Sequence, residues 1–248
     1  MIKVSVNVDA TRALKRLDLA KSQVPFATAL ALTRTAQRAK EGLKREIARS
    51  FDRPRSFTLS ALVVKRATKQ NLNAEVKVKD NAFSGRSAVN WFNPEVYGGG
   101  RHYKGFELLL QRNGKMPTGW YAIPARNAPV DQYGNISGSL LNKILSQLGA
   151  RRDSSSNESR KLKASRNRRR QSGRYFAVWP GESHLPPGIY ERASFGSGGA
   201  LRMVFLYTSK APVYKPRYKF YEVGQQLARE YFPQEFRKAA AVAMGTRK

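Results

Sequence analysis

The sequence contains no cysteine and only two histidines, and these absences exclude several kinds of chemistry. Without cysteine the chain cannot form disulfides, zinc fingers or other thiolate metal sites, and it has no cysteine nucleophile. The two histidines are His102 and His184, which leaves little room for imidazole chemistry.

Long apolar runs are also missing. The longest nearly apolar stretch covers residues 24–32, far fewer than the roughly 18 residues that a membrane-spanning helix needs. The first residues alternate between apolar and polar side chains and do not form the apolar centre of a signal peptide. We expect a protein that is made in the cytoplasm and does not bind a membrane.

Acidic residues are scarce. The 248 residues include 17 aspartates and glutamates against 46 lysines and arginines, so the formal net charge is +29. Hydrophobic residues make up 41% of the chain, which is enough for the core of one large domain or two small ones. Solubility needs a net charge of only roughly 2–8 in a small domain. The excess therefore predicts a polyanionic partner, most commonly nucleic acid, or an acidic protein surface.

The first fifty residues predict one strand and two helices. Residues 2–8 alternate with the period of a half-buried strand. Asp9 is a good N-cap for a helix over residues 10–20. Pro25 suits the first turn of a longer helix that ends near Ser50.

The longer helix is amphipathic, with a cationic outer side. Its predicted apolar stripe consists of Leu32, Ala36, Ala39, Leu43 and Ile47. The opposite side carries Arg34, Arg38, Lys40, Lys44, Arg45 and Arg49. Such a charge run is usually only a solvated face. With Glu41 and Glu46 as the only counter-charges, it also predicts contact with an acidic or polyanionic neighbour.

The middle of the chain predicts less regular structure. A short helix near residues 57–62 precedes a basic β-hairpin of residues 63–68 and 74–79, which carries Lys65 and Arg66. Glycines and prolines in residues 81–138 predict loops and small strands, with one helix at residues 105–112. Another short helix is predicted at residues 139–148 and is capped by Gly149.

Residues 151–174 form the most basic segment of the chain, with ten cationic and two anionic side chains. Leu162 is its only large apolar side chain, so the segment cannot bury enough surface to order itself. It is predicted to be a flexible loop that orders only against a partner. Its cationic residues are Arg151, Arg152, Arg160, Lys161, Lys163, Arg166, Arg168, Arg169, Arg170 and Arg174.

The last part of the chain predicts strands and then helices. Strands are expected at residues 175–179, 188–192 and 201–208, followed by a helix that Pro233 interrupts and a final helix over residues 234–244. The whole pattern predicts an α+β protein. Its N- and C-terminal helices pack on one antiparallel sheet, and residues 1–80 and 175–248 form the core. Residues 81–150 form a loop-rich insertion, and residues 151–174 form the basic flexible loop.

The sequence shows no recognisable catalytic constellation. An enzyme would have to use His102, His184, Glu107, Asp131 or Glu191. A metal-dependent nuclease needs clustered carboxylates, and no pair of acidic residues has the spacing of such a motif. We therefore expect no catalytic residue, no metal and no cofactor, and no small-molecule substrate. A small basic nuclease that uses His102 stays open as an alternative.

Several segments resemble proteins of tailed phages. The first set consists of Val24 and Pro25, Thr33 and Arg34, Pro54, residues 64–69 and residues 74–78. This set resembles the N-terminal part of the minor tail protein Z family of lambda-like tailed phages. The second set consists of residues 187–192, 214–217 and 232–240 and is similar to phage tail-completion and neck proteins. Together the two resemblances cover residues 24–80 and 186–245.

The resemblance implies a structural virion protein without catalytic residues. It implies a head–tail connector or tail-completion component that forms a homo-oligomeric ring at the neck or upper tail, around the DNA channel. The implied partners are portal, adaptor or tail proteins and the genomic DNA, in a virion assembled in the host cytoplasm. The expected contact residues are the ten cations of the basic segment together with Arg34, Arg38, Arg45, Lys65 and Arg66. A nucleic-acid-binding protein outside any virion is the main alternative.

Overall fold

The computed structural model describes residues 2–6, 23–80, 87–153, 155, 157, 174–195 and 198–245. The chain divides into two compact units. Unit 1 consists of residues 1–99 and 214–248, and unit 2 consists of residues 100–213. Each unit combines helices with an antiparallel sheet, which confirms the predicted α+β class.

The elements follow in chain order. Unit 1 contains β1 (Lys3–Val6), α1 (Val24–Ser50), α2 (Ser56–Leu59), β2 (Leu62–Lys65), β3 (Ala74–Val78), α3 (Val89–Tyr97) and α6 (Phe220–Gly245). Unit 2 contains α4 (Gly105–Arg112), β5 (Tyr121–Pro124), α5 (Gly138–Leu148), β6 (Tyr175–Val178), β7 (Gly188–Phe195) and β8 (Gly198–Thr208). The two-residue strands β4 (Gly99–Gly100) and β9 (Val213–Tyr214) pair with each other, and the unit boundaries fall within them.

Unit 1 is built around α1, which packs on the sheet β1–β3–β2 and along α6. Val76 of the central strand lies opposite Val4 on one side and Val64 on the other. Helix α1 has Pro25 in its first turn and ends at Ser50, as predicted. All five residues of its predicted apolar stripe are buried in the core, and the predicted hairpin is present as β2 and β3.

Helix α6 differs from the prediction at Pro233. The prediction that Pro233 interrupts this helix is wrong, because the helix continues through the proline to Gly245. A proline removes one backbone hydrogen bond from a helix interior. Phe232 and Phe236 are buried on either side of it with ring centroids 5.7 Å apart, and Ala239 is buried one turn later. Burial of this apolar face offsets the lost hydrogen bond.

Unit 2 has its own sheet and its own core. The strands are ordered β5–β8–β7–β6, all antiparallel. Leu110 of α4 and Ile144 of α5 are fully buried in one cluster with Ile189 and Val204 of the sheet. The prediction of a single sheet is therefore wrong, because the strands after residue 175 bury their apolar face against α4 and α5. The unit boundaries differ accordingly from the expected divisions at residues 80 and 175.

The region expected to be a loop-rich insertion contains more helix than predicted. Helix α3 was not expected, and it forms where Trp91 and Phe92 stack with ring centroids 4.5 Å apart and Phe92 is fully buried. Helix α4 has the predicted ends. Helix α5 begins one residue earlier than predicted and is closed by Gly149 at φ 71°, the left-handed cap that glycine favours.

Two predictions lie outside the described residues. These are the helix over residues 10–20 and the flexibility of most of the basic segment, residues 158–173. Among the helices that the structure describes, none combines the length and the apolar character that crossing a bilayer requires.

Candidate functional site

The surface of unit 1 has two depressions that share Arg34 and Gln37, and together we call them the cationic groove. The first has a volume of about 500 Å³ and is lined by Phe26, Ala29, Leu30, Thr33, Arg34, Gln37, Arg66, Ala67, Thr68 and Lys69. The second has a volume of about 580 Å³ and is lined by Arg34, Gln37, Arg38, Glu41, Arg45, Tyr231, Glu235 and Lys238.

The period of α1 explains why these residues share one surface. The apolar stripe faces the core, and Arg34, Arg38 and Arg45 on the opposite side of the helix line the groove. The chain after β2 is fixed against this side, because the backbone N–H of Ala67 donates to Thr33 Oγ1 at 3.1 Å. That hydrogen bond places Arg66 and Lys69 beside the N-terminal half of α1.

Helix α6 contributes a buried carboxylate to the second depression. Glu235 is only 4% exposed, and its Oε1 lies 2.9 Å from Arg38 Nε and 3.7 Å from Lys238 Nζ. The Arg38 guanidinium also lies 5.1 Å from the centroid of the Tyr231 ring. The Glu235 carboxylate thus ties α6 to α1 and neutralises part of the charge of Arg38.

The charge of the groove is unbalanced. Six cationic side chains line it against the two carboxylates of Glu41 and Glu235. Within the part of the chain that the structure describes, Arg34, Arg45 and Arg66 pair with no carboxylate. A cationic cleft beside a low-dielectric wall raises the local concentration of anionic partners. The groove is therefore suited to bind anionic groups.

The structure brings together four of the five contact residues that were predicted outside the basic segment. Arg34, Arg38, Arg45 and Arg66 all line the groove. Lys65 is exposed on β2 and does not line it. The residues that the sequence reasoning missed are Gln37, Lys69, Tyr231, Glu235 and Lys238.

One signal could have revealed four of the missed residues. Tyr231, Glu235 and Lys238 follow one another at helical spacings of four and three, so they share one face of α6. The same signal marks Gln37, which lies three positions after Arg34 on α1, whereas none marks Lys69, whose position depends on packing between distant segments.

Three of the ten cationic residues of the basic segment lie within the described residues. Arg160, Lys161, Lys163, Arg166, Arg168, Arg169 and Arg170 lie outside the described residues. Arg151 and Arg152 follow α5, where the backbone N–H of Arg151 donates to Asn157 Oδ1 at 3.2 Å. Arg174 precedes β6 and is exposed, but its guanidinium pairs with Glu191 inside unit 2.

Glu191, one of the acidic candidates, is held at a fixed position. It is 0% exposed and accepts hydrogen bonds from Arg202 Nε at 2.9 Å and from the Tyr175 hydroxyl at 3.1 Å. Burial raises the pKa of Glu191, but the hydrogen bonds from Arg202 and Tyr175 and the charges of Arg202 and Arg174 outweigh it and lower the pKa. The ionised carboxylate joins β6, β7 and β8.

Glu107 is held in a similar way. It is 0% exposed, and Arg101 donates to it through Nη1 at 2.8 Å and Nη2 at 2.6 Å. The backbone N–H groups of Lys104 and Ala122 donate at 2.6 Å and 3.0 Å. Burial raises the pKa of Glu107, but these hydrogen bonds and the Arg101 charge outweigh it and lower the pKa. This carboxylate joins the start of α4 to β5.

The remaining catalytic candidates lie at the surface. His102 and His184 are exposed. Asp131 accepts hydrogen bonds from the backbone N–H groups of Tyr133 at 2.9 Å and Asn135 at 3.0 Å, which is the role of a turn residue. In the described ranges, no three histidine or acidic side chains are grouped so that they could hold a metal ion.

Comparison with family models, with curated proteins and with solved structures finds no match to this chain.

Proposed function

We propose that this chain is a structural protein of a tailed-phage particle, a tail-completion or head–tail connector component at the neck or upper tail. It assembles with other virion proteins through its cationic surface. The observation that carries the proposal is the cationic groove, in which Arg34, Arg45 and Arg66 have no carboxylate partner in the described part of the chain.

The resemblance and the groove share several elements of unit 1. Residues 24–80 and 186–245, which carry the resemblance to phage tail proteins, include α1, β2, β3 and α6 of unit 1 and also β7 and β8 of unit 2. In unit 1, α1, α6 and the chain after β2 line the groove. A shared role of this unit in assembly would account for both observations.

The net charge constrains the proposed homo-oligomeric ring. Copies of a chain with a charge of +29 repel one another unless anionic groups lie between them. In the proposed ring these groups belong to acidic surfaces of portal, adaptor or tail proteins, or to the genomic DNA in the channel. The ring therefore forms together with its partners in the host cytoplasm.

The proposed role is binding and not catalysis. Glu107 and Glu191 are fully buried and bound by arginines, and Asp131 accepts hydrogen bonds within a turn. A base or a metal ligand needs a carboxylate that substrate or metal can reach. The nuclease alternative predicts that any cleavage of nucleic acid by the pure chain disappears in His102→Ala.

The proposal is tested on the phage that encodes this chain. The gene is deleted and supplied in trans with an epitope tag, and purified particles are examined by immunogold electron microscopy. We expect the label at the head–tail junction or upper tail, and we expect particles made without the chain to lose infectivity by at least about a hundredfold. Normal, infectious particles without the chain would refute a structural role.

The same preparation distinguishes the proposed function from its main alternative. A nucleic-acid-binding protein outside the virion would be missing from purified particles and would bind duplex DNA as an isolated chain. Its binding constant would fall steeply with salt, since each neutralised phosphate adds roughly −0.9 to the slope of the logarithmic plot.

A further inference from the structure

The first depression of the cationic groove has an apolar floor and a cationic rim. Phe26 and Leu30 are partly buried and line it from α1. Arg34, Arg66 and Lys69 stand around it, and Lys69 Nζ lies 5.5 Å from the centroid of the Phe26 ring. Such a site offers an apolar side chain a place beside groups that attract carboxylates.

The length of the groove suits a peptide segment. Its lining residues on α1 run from Phe26 to Arg45, and at about 1.5 Å per residue this distance is about 29 Å. An extended peptide advances about 3.3 Å per residue, so about nine residues span the groove. Gln37 lies in both depressions and can bond to peptide groups with its amide.

A phosphate backbone fits this surface less well. Phosphates carry no apolar side chain to cover Phe26 and Leu30, which leaves that part of the floor unused. The carboxylates of Glu41 and Glu235 lie among the cations of the second depression and repel phosphate. An acidic peptide can place its carboxylates at Arg34, Arg66 and Arg45 and keep polar or apolar residues elsewhere.

We infer that the cationic groove binds an acidic, amphipathic segment of a partner protein. One apolar side chain of the segment lies against Phe26 and Leu30, and its carboxylates pair with Arg34, Arg66 and Lys69. Further along the segment, an acidic residue pairs with Arg45. The inference rests on the proposed function for the identity of this partner as another virion protein.

The first experiment needs no change in the protein. Two fluorescein-labelled peptides of about 12 residues are compared by fluorescence anisotropy with the full chain at low salt. Both are rich in glutamate, and one carries a leucine pair where the other has serines. We expect the leucine peptide to bind about tenfold more tightly, because the free energy gained by burying one leucine side chain exceeds the free energy of a tenfold change in affinity.

The second experiment uses matched variants of the full chain. Lys69→Glu reverses a charge on the groove rim, whereas Lys44→Glu reverses the charge of an exposed lysine on α1 that does not line the groove. Both substitutions change the net charge equally. We expect Lys69→Glu to weaken binding of the leucine peptide by at least about fivefold and Lys44→Glu to weaken it by less than about twofold.

Three results would overturn the inference. The first is absence of binding by either peptide at low salt, and the second is equal affinity for the two peptides. The third is evidence that the groove is a nucleic-acid site. A duplex of about 20 base pairs would then displace the leucine peptide at a lower concentration than unlabelled peptide does, and Lys69→Glu would weaken binding of the duplex more than binding of the peptide. Circular dichroism confirms that each variant is folded.

Failure of this inference can be told from failure of the proposed function. If the tagged wild-type chain is present in particles and Lys69→Glu is incorporated equally well, the groove is not the docking site and the structural role stands. If the chain is absent from particles but binds the leucine peptide as expected, the proposed function fails and the groove assignment stands.

Discussion

Removal of Arg101 should destabilise unit 2 strongly, because it leaves a carboxylate buried without its charged partner. Glu107 is 0% exposed, and the Arg101 side chain is 10% exposed. In Arg101→Met, Glu107 keeps the two backbone donors but loses both guanidinium hydrogen bonds. Breaking a buried ion pair in this way costs about 3–5 kcal/mol. The retained backbone donors place our expectation near about 3 kcal/mol.

This loss is large enough to measure by urea unfolding. With a slope of about 1–3 kcal/mol per molar urea, it shifts the unfolding midpoint of unit 2 by about 1–3 M. Trp91 is the one tryptophan of unit 1, and Trp120 and Trp179 belong to unit 2. Fluorescence in a Trp91→Phe background therefore follows unit 2. Arg126→Met, at an exposed position in the same unit, is the control and should cost less than about 0.5 kcal/mol.

A second substitution tests the cause. Arg101→Met/Glu107→Gln removes the isolated charge while the amide oxygen still accepts a backbone hydrogen bond. The double variant should therefore be more stable than Arg101→Met by about 1–2 kcal/mol. An equal or lower stability of the double variant would refute the reasoning, as would a loss in Arg101→Met no larger than in the Arg126→Met control.

Three further predictions concern packing and pH. In Gly188→Ala the new Cβ would collide with the backbone carbonyl of Phe205 on β8, so we expect a loss of more than about 3 kcal/mol or an unfolded unit 2 by circular dichroism. Gly42→Ala should cost about 1 kcal/mol in urea because its Cβ meets the Leu227 side chain, but in a Leu227→Ala background it should stabilise unit 1 by about 0.5–1 kcal/mol through helix propensity. The folded-state pKa of Glu191 is lowered, so its contribution to stability is complete above the pKa of the unfolded chain and is lost as the pH falls through the folded-state pKa. In Glu191→Gln, the free energy of unfolding measured with urea should therefore fall less steeply between about pH 5 and pH 2.

Each of these has a clear contradicting result. Wild-type stability of Gly188→Ala would mean that β7 and β8 do not approach as closely as described. The same sign for Gly42→Ala in both backgrounds would remove Leu227 as the cause. An unchanged acidic decline in Glu191→Gln would assign the pH dependence to other carboxylates.

The helices of the fold could be predicted where local signals decide them. The apolar stripe of α1, the proline in its first turn and the glycine after α5 act over a few residues, and the structure has all three. Pro233 shows the limit of such signals. It is a strong local breaker, yet Phe232 and Phe236 are buried against the core and the helix continues.

The pairing of strands could not be predicted in the same way. Strands β6, β7 and β8 were recognised as strands, but their alternation does not say which sheet they join. Their apolar face is covered by Leu110 and Ile144, which lie in the two helices predicted at residues 105–112 and 139–148, and nothing local marks those helices as their cover. A strand joins the sheet whose other elements can cover it, and that choice involves residues far away in the sequence.

The candidate site was half predictable for a related reason. The excess of cations on α1 is visible in the sequence, so Arg34, Arg38 and Arg45 could be named. The carboxylate that neutralises Arg38 belongs to Glu235, which is nearly two hundred positions away along the chain. Nothing in the sequence shows which arginine will meet which of the few carboxylates.

By itself, the sequence determined the α+β class, the amphipathic character of α1 and the surplus of positive charge, because composition and short-range periodicity set these properties. Only the tertiary structure decided which strands share a sheet, which arginines are neutralised and which remain exposed in the groove. Those outcomes depend on burying distant apolar faces together, and the side chains that then meet were not neighbours in the unfolded chain.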